Sequence, residues 1–415
     1  MKALGSPCDR AQMTPAKHLL TGPKVSKKEQ PTPERRSELR SQEPHGWRNV
    51  RISAPGEECW KSGAHVLSKG RGACLLVATA VDSRTKHLLR LLEHLHALCT
   101  THRWIRVALN LFDTNATQPA PGLVHSCISV SRVPSFKTLF WKHILSPTKV
   151  ASDAYSHLWL LDSDMNIHPA NFDVLTFVRI AEATNVSILS PAPWGGGNGR
   201  YNMAERRCIG PPFTKCNRAC SVNPATSCSV CRQSTVEVKA PLFPLPAWIS
   251  FHRHVLAKIP DSSLETDYMI DLYWCNLLQH LHHGCDPRNE TSTCHSASGA
   301  ACAYSYVTPM EHLDDRTRGV RFLKEMKSKT ANVLQRVVGS SYMTMPSYRP
   351  RGTLLDTHSC WSLHELVKHS PKLQHWTLPP GFAQIDWAAR RTDADMHRKN
   401  KRGILSGNNT TSSPG

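Results

Sequence analysis

The residues best suited to chemistry lie in Ser156-His-Leu-Trp-Leu-Leu-Asp162-Ser-Asp164-Met-Asn-Ile-His168, where a short apolar run ends on two carboxylates one residue apart. A run of this length suits a buried strand better than a helix. On extended chain, residues i and i+2 share a face, so Asp162 and Asp164 can reach one hard cation. Mg²⁺ is typically held by one or two carboxylates plus substrate phosphates, so the pair suits a divalent ion clamping a diphosphate. The competing reading is a strand-to-turn exit, where Asp and Ser are favoured because they bond their own backbone.

Further candidates lie downstream. Asp267 and Asp271 are spaced i, i+4 in Thr266-Asp267-Tyr-Met-Ile-Asp271-Leu-Tyr-Trp274-Cys275, which predicts two acids on one helix face. An apolar helix has little structural reason to hold two acids on one face, although Asp is also favoured in a helix's first turn. His312 follows an expected strand, Tyr304 to Thr308. One His and two carboxylates suit Mn²⁺ or Mg²⁺, while a lone His after a strand is commonly structural.

Alternating elements must position these residues. Strands are expected at Ala73 to Val81, Trp104 to Phe112, Val124 to Val133, Leu158 to Leu161, Val186 to Ser190 and Val236 to Phe243. Helices are expected at Lys86 to Leu98, Phe136 to Leu145, Phe172 to Ala183 and Ala247 to Ile259. The alternation is the sign of an α/β layer in which ligands bind beyond the carboxyl ends of the strands. No Gly-x-Gly-x-x-Gly follows the first strand and no Walker-type Gly-Lys-Ser appears, which argues against dinucleotide and P-loop enzymes.

The 415-residue chain carries 51 Lys+Arg against 32 Asp+Glu, a formal charge of +19. Much of the excess lies in residues 1–72 and near the far end, at Arg390, Arg391, Arg398, Lys401 and Arg402. These polar tails read as disordered, and no nucleic-acid motif accompanies their charge. A basic nucleic-acid-associated protein is therefore the less favoured alternative. A phosphodiesterase is disfavoured because such sites need more His and Asp ligands.

No apolar run of about 18 residues is present, and Met1 to Pro23 has no signal-like apolar core. The 15 cysteines nevertheless point to an oxidising lumen. Sequons at Asn115, Asn185, Asn289, Asn408 and Asn409 agree with it. The chain thus reads as a luminal protein without its entry signal, its membrane contact coming only through a missing N-terminal anchor. Cys208, Cys216, Cys220, Cys228 and Cys231 form a Cys-rich insertion whose spacing suits zinc or a pair of disulfides, the second favoured in a lumen. Cys285, Cys294 and Cys302 form a looser second group. The expected organisation is 1–72 disordered, 73–325 one α/β domain with the insertion at 208–231, and 326–415 a partly helical extension.

This order of strand, Asp-x-Asp, strand, late acidic helix and late His resembles the GT-A fold of metal-dependent, nucleotide-sugar glycosyltransferases. The finer likeness is to a plant-type family of unknown function regarded as glycosyltransferases. Phe140-Trp-Lys142-His-Ile-Leu-Ser-Pro147 resembles the family's Phe-Ala-Lys-Arg segment, and Tyr155 to Asp164 its Tyr-Asp-Tyr-Ile-Phe-Leu-Trp-Asp-Glu-Asp strand. Ile188-Leu-Ser-Pro191 matches Ile-Ser-Gln-Pro. Val236-Glu-Val-Lys-Ala-Pro-Leu-Phe243 with Ala247-Trp248 matches Val-Glu-x-Met-Ala-Pro-Val-Phe with Ala-Trp. Asp267 to Cys275 echoes Gly-Trp-Gly-x-Asp-x-x-Trp-Cys, although Asp267 and Met269 replace its glycines and Ser163 replaces the middle Glu of Asp-Glu-Asp.

The resemblance implies a GT-A-like mixed sheet flanked by helices. It also implies transfer of a sugar from a nucleoside-diphosphate donor to a hydroxyl of a glycan, glycoprotein or lipid, in the Golgi lumen. Asp162, Asp164 and His312 would hold Mn²⁺ or Mg²⁺, with Lys142 on phosphate or simply at the surface. Asp271, then Asp267, would take the acceptor proton. A catalytically silent relative that binds a glycan or partner is the alternative.

Overall fold

The computed structural model describes residues 74–81, 88–112, 125–132, 137–150, 155–194, 228–233, 235–264, 270–283, 301–313, 331–339 and 360–369, with Ile52, Cys59 and Leu373. Side chains in part of 228–233 and at a few other positions lie outside that description. The described residues belong to one unit, Pro44–Gly415. The terminal tails and most of the Cys-rich insertion fall outside them. Within the stretch expected to be disordered, Cys59 is buried in the core and bonded to Cys74, and Ile52 packs partly buried against that core.

The chain is α/β, with ten strands in one mixed sheet among the described residues. Strands β1 (Cys74–Val81), β2 (Ile105–Leu111), β3 (Ile128–Ser131) and β4 (Tyr155–Asp162) form a parallel block in the order β4-β1-β2-β3. Every residue of β1 is buried, as the unbroken apolar run requires of a strand covered on both faces. Beyond β4 the direction reverses. The short β8 (Leu242–Pro244) runs antiparallel to β4, and β6 (Ile188–Trp194) follows, itself parallel to β9 (Cys302–His312). β7 (Cys228–Gln233) and β10 (Cys360–Ser362) extend the far edge, and β5 (Met165–Asn166) pairs with the end of β9. This is the mixed sheet flanked by helices that the resemblance implied, with a reversal of strand direction beside β4.

The period-2 alternation sends successive strand residues to opposite layers. Leu76, Ala78, Leu158 and Leu160 join Phe140 and Trp141 of α2 (Lys137–His143), Trp248 and Phe251 of α4 (Leu245–His254) and Trp274 of α5 (Trp274–His283). Leu75, Val77, Trp159 and Leu161 face α1 (Leu88–Thr101) and α3 (Val174–Thr184). α1 presents Leu91, Leu92, Leu95 and Leu98, a helical stripe. Asp173 caps α3 by accepting from Thr176 N at 3.0 Å, and Asn185, exposed at φ 50°, ends it in the left-handed conformation that Asn tolerates.

Three expectations change. Val236 to Phe243 is not one strand: only Leu242–Pro244 is, because Pro241 has no N–H to give and residues 238–240 turn. Residues 266–275 do not form a single helix where described. A 3₁₀ turn, Ile270–Leu272, precedes α5, and burial of Ile270, Leu272, Tyr273 and Trp274 asks for more than one helical face can offer. The late strand is longer than Tyr304 to Thr308, so His312 ends β9 instead of following it.

Candidate active site

Asp162 ends β4 at the carboxyl edge of the parallel block. The tight turn after it is held from both sides. Asp162 N donates to Lys239 O at 2.7 Å, and Leu313 N donates to Asp164 O at 2.8 Å. Pairing of Met165 with His312 then brings the end of β9 alongside. His312 Nε2 thereby lies 3.0 Å from Asp164 Oδ2, which joins two of the three expected ligands.

Asp164 Oδ1 is buried and has no hydrogen-bond partner among the described residues. Burial alone would raise this carboxyl's pKa. The His312 hydrogen bond and charge, with the Lys137 charge, outweigh it and hold the pKa below the usual carboxylate value. A buried carboxylate oxygen with an open lone pair is costly unless something completes it, and a hard cation is one such completion. Asp164 and His312 therefore fit a divalent ion.

Asp162 is placed differently. Its carboxylate pairs with Lys137 Nζ, which also lies over the Trp141 ring, 5.1 Å from the centroid. Asp162, Asp164 and His312 do not bring three ligand atoms within 4.8 Å of one another.

Lys142 is not the lysine at this edge. Its Nζ donates to Ile259 O and to Asp261 Oδ1, both at 2.6 Å, and His143 Nε2 lies 2.8 Å from Asp261 Oδ2. Five residues separate Lys137 from Lys142, a rotation of about 140° on a helix, so they face different ways. Asp271 is half-buried in its 3₁₀ turn, and Asp267 lies outside the described residues.

Two residues the sequence reading passed over come forward. Lys137 is one. The other is Glu237, buried, with Oε2 2.9 Å from Lys239 Nζ but no well-directed hydrogen bond. The β4–β8 register runs from His157↔Pro244 through Trp159↔Leu242, and the bonds Leu160 N to Pro241 O and Asp162 N to Lys239 O continue it. Beyond Lys239 the chain has turned, and Glu237 lies in the irregular segment before that turn. Side chains pin the segment that carries it: Trp274 Nε1 donates to Val236 O at 3.1 Å, Trp159 Nε1 to Ala240 O at 3.0 Å, and Glu237 N to Tyr304 Oη at 2.8 Å. The available signal was a lone acid in an otherwise apolar stretch.

No protein-family model and no curated protein matches the chain, so membership of the plant-type family remains a likeness of motifs. Solved structures do resemble it. A mannosyltransferase from Pyrobaculum calidifontis, in complex with GDP-Man and Mn²⁺, is 12% identical over 81% of this chain and 90% of its own, with a TM-score of 0.39. A mycobacterial protein is 14% identical over 70% and 85%, with a TM-score of 0.35. Glucosyl-3-phosphoglycerate synthase from Mycobacterium tuberculosis, with Mg²⁺ and UDP, is 12% identical over 70% and 86%, with a TM-score of 0.33. Likeness this distant does not assign the chain an activity.

Proposed function

We propose that the protein is a metal-dependent glycosyltransferase that moves a sugar from a nucleoside-diphosphate donor to a hydroxyl of a glycan or glycoconjugate. The observation that carries this reading is Asp164. Its buried, unbonded Oδ1 stands beside His312 at the carboxyl edge of the parallel strands. Asp164 and His312 would hold Mn²⁺ or Mg²⁺, with donor phosphate oxygens and water in the other positions. The bound ion supplies Lewis-acid neutralisation of the leaving diphosphate.

Asp162 pairs with Lys137 and orients that lysine, whose ammonium group would meet phosphate charge at this edge. The acceptor proton needs a carboxylate base. Asp271 matches the family's helix Asp, while Glu237 is a buried acid in the segment that leads into the turn bonded to Asp162. Asp267 is a further candidate by sequence alone. Buried disulfides at Cys59–Cys74, Cys99–Cys127 and Cys275–Cys302 support a luminal, Golgi-type location.

The experiment is release of nucleoside diphosphate from a panel of sugar nucleotides with Mn²⁺, using wild type, Glu237→Gln and Asp271→Asn. The variant whose turnover falls while donor binding persists identifies the base. Release from no donor sinks the reading. The engagement of Asp162 by Lys137 favours a second reading, a silent glycosyltransferase-like binder. Donor binding without turnover in wild type would support it.

A further inference from the structure

A second group of ligating side chains lies away from the Asp164 edge, where α1 meets the turn before β3. Ligand atoms of Cys99, His125 and Cys127 lie within 4.8 Å of one another, and among the described residues no other group of three does so. Cys99 and Cys127 are joined as a disulfide and nearly fully buried. His125 starts a tight turn in which Ile128 N donates to His125 O at 2.8 Å and Cys127 N to His125 Nδ1 at 3.1 Å. Val107 N fastens that turn to β2 by donating to Cys127 O at 2.9 Å. The imidazole is thus fixed beside the sulfurs, its Nδ1 lone pair accepting from Cys127 N, a long bond that a metal on Nδ1 would replace.

Another imidazole stands next to it, outside the group whose ligand atoms lie within 4.8 Å of one another. His96 precedes Cys99 by three residues, so both occupy one face of α1. Its ring meets that of His125 edge-on, with centroids 5.3 Å apart. The pattern is His-x₂-Cys on a helix and His-x-Cys on a turn. Among the described residues, the disulfides Cys59–Cys74 and Cys275–Cys302 gather no comparable set.

We propose that Cys99, Cys127 and His125, completed by exposed His96, form a zinc site when the two sulfurs are thiolates, so that disulfide and metal are alternative closures of this corner. Opening the bond takes two electrons and two protons from a thiol or phosphine reductant and yields two thiols. Zinc binding then displaces their two protons. Two thiolates balance the charge of Zn²⁺, which suits buried sulfurs, and the sulfur–imidazole set matches zinc's preference for four tetrahedral ligands. The guanidinium of Arg106 is a cation in this region. It donates to Arg103 O at 3.1 Å and Ile105 O at 2.8 Å, so backbone carbonyls hold it.

The test uses the full chain, reduced with a phosphine under nitrogen, loaded with Zn²⁺ and freed of excess metal. Zinc per chain and affinity against a chelator are measured for wild type, Cys99→Ser/Cys127→Ser, His125→Ala and the control Cys275→Ser/Cys302→Ser. Reduced wild type should hold one zinc more than Cys99→Ser/Cys127→Ser, the control should equal wild type, and the oxidised chain should lack that zinc. His125→Ala should bind this zinc on the order of 10-fold or more weakly. Equal zinc in wild type and Cys99→Ser/Cys127→Ser would overturn the proposal, assigning the metal to cysteines elsewhere. Should the double variant fail to fold, His125→Ala decides, and unchanged affinity there overturns it.

Discussion

Two acidic corners flank α2 and differ in completeness. At one, Asp261 has both oxygens taken, by Lys142 and His143, and stands partly in solvent. The His143 hydrogen bond, working against burial and helped by Lys142, lowers its pKa to about 2. At the other, Asp164 is more buried, yet only Oδ2 is engaged, by His312. A carboxylate that only ties elements together is expected to be finished by its neighbours, as Asp261 is. One left open in a buried position is expected where something else finishes it.

Four changes break or sharpen that contrast. The largest effect is expected from Asp164→Asn, which removes the open anionic oxygen. Mn²⁺-dependent donor affinity should fall on the order of 10³-fold by calorimetry, and the melting temperature should fall as His312 loses its charged partner. Acid comes next. Burial, followed by His168 and Arg90, lowers the pKa of His94 to about 4, and burial lowers that of His157 to about 4. Both are neutral in the folded chain and take protons near pH 6.5 once unfolded. Stability is therefore full above about pH 6.5 and falls, by a few kcal/mol at most, as pH drops towards 4. Asp261 keeps its contribution above about 3.8 and loses it only as pH falls through about 2. Denaturant titrations at a series of pH values should thus show the loss between 6.5 and 4, ahead of the Asp261 corner. His312→Ala ranks third, weakening Mn²⁺-dependent donor binding on the order of 10- to 100-fold. Asp261→Asn is the smallest, costing about 1 kcal/mol after discounting for exposure, with donor affinity unchanged.

Much of this was readable in advance. The unbroken apolar run of β1, the leucine stripe of α1 and the Leu158 to Leu161 run ending on Asp162 carry their own periodicity. They stand close to where that periodicity sets them. His312 was expected at a second strand edge facing the same side as Asp164, and β5, pairing with the end of β9, brings the two together. Choosing Lys142 over Lys137 required the phase of α2 against the sheet, which local sequence does not contain. The Val236 to Ala240 segment looked like a strand because its apolar residues alternate. Its backbone is instead partnered by Trp274, Trp159 and Tyr304, contacts distant in sequence. Cys302 was grouped with its neighbours Cys285 and Cys294 yet bonds Cys275, since pairing follows the approach of α5 to β9.

The most direct test is titration of wild type, Asp164→Asn and Asp261→Asn with a panel of sugar nucleotides, with and without Mn²⁺. The account predicts Mn²⁺-dependent binding of at least one donor by wild type, its retention in Asp261→Asn and its loss in Asp164→Asn. Binding by wild type to no donor, or binding that Asp164→Asn leaves unchanged, would contradict it.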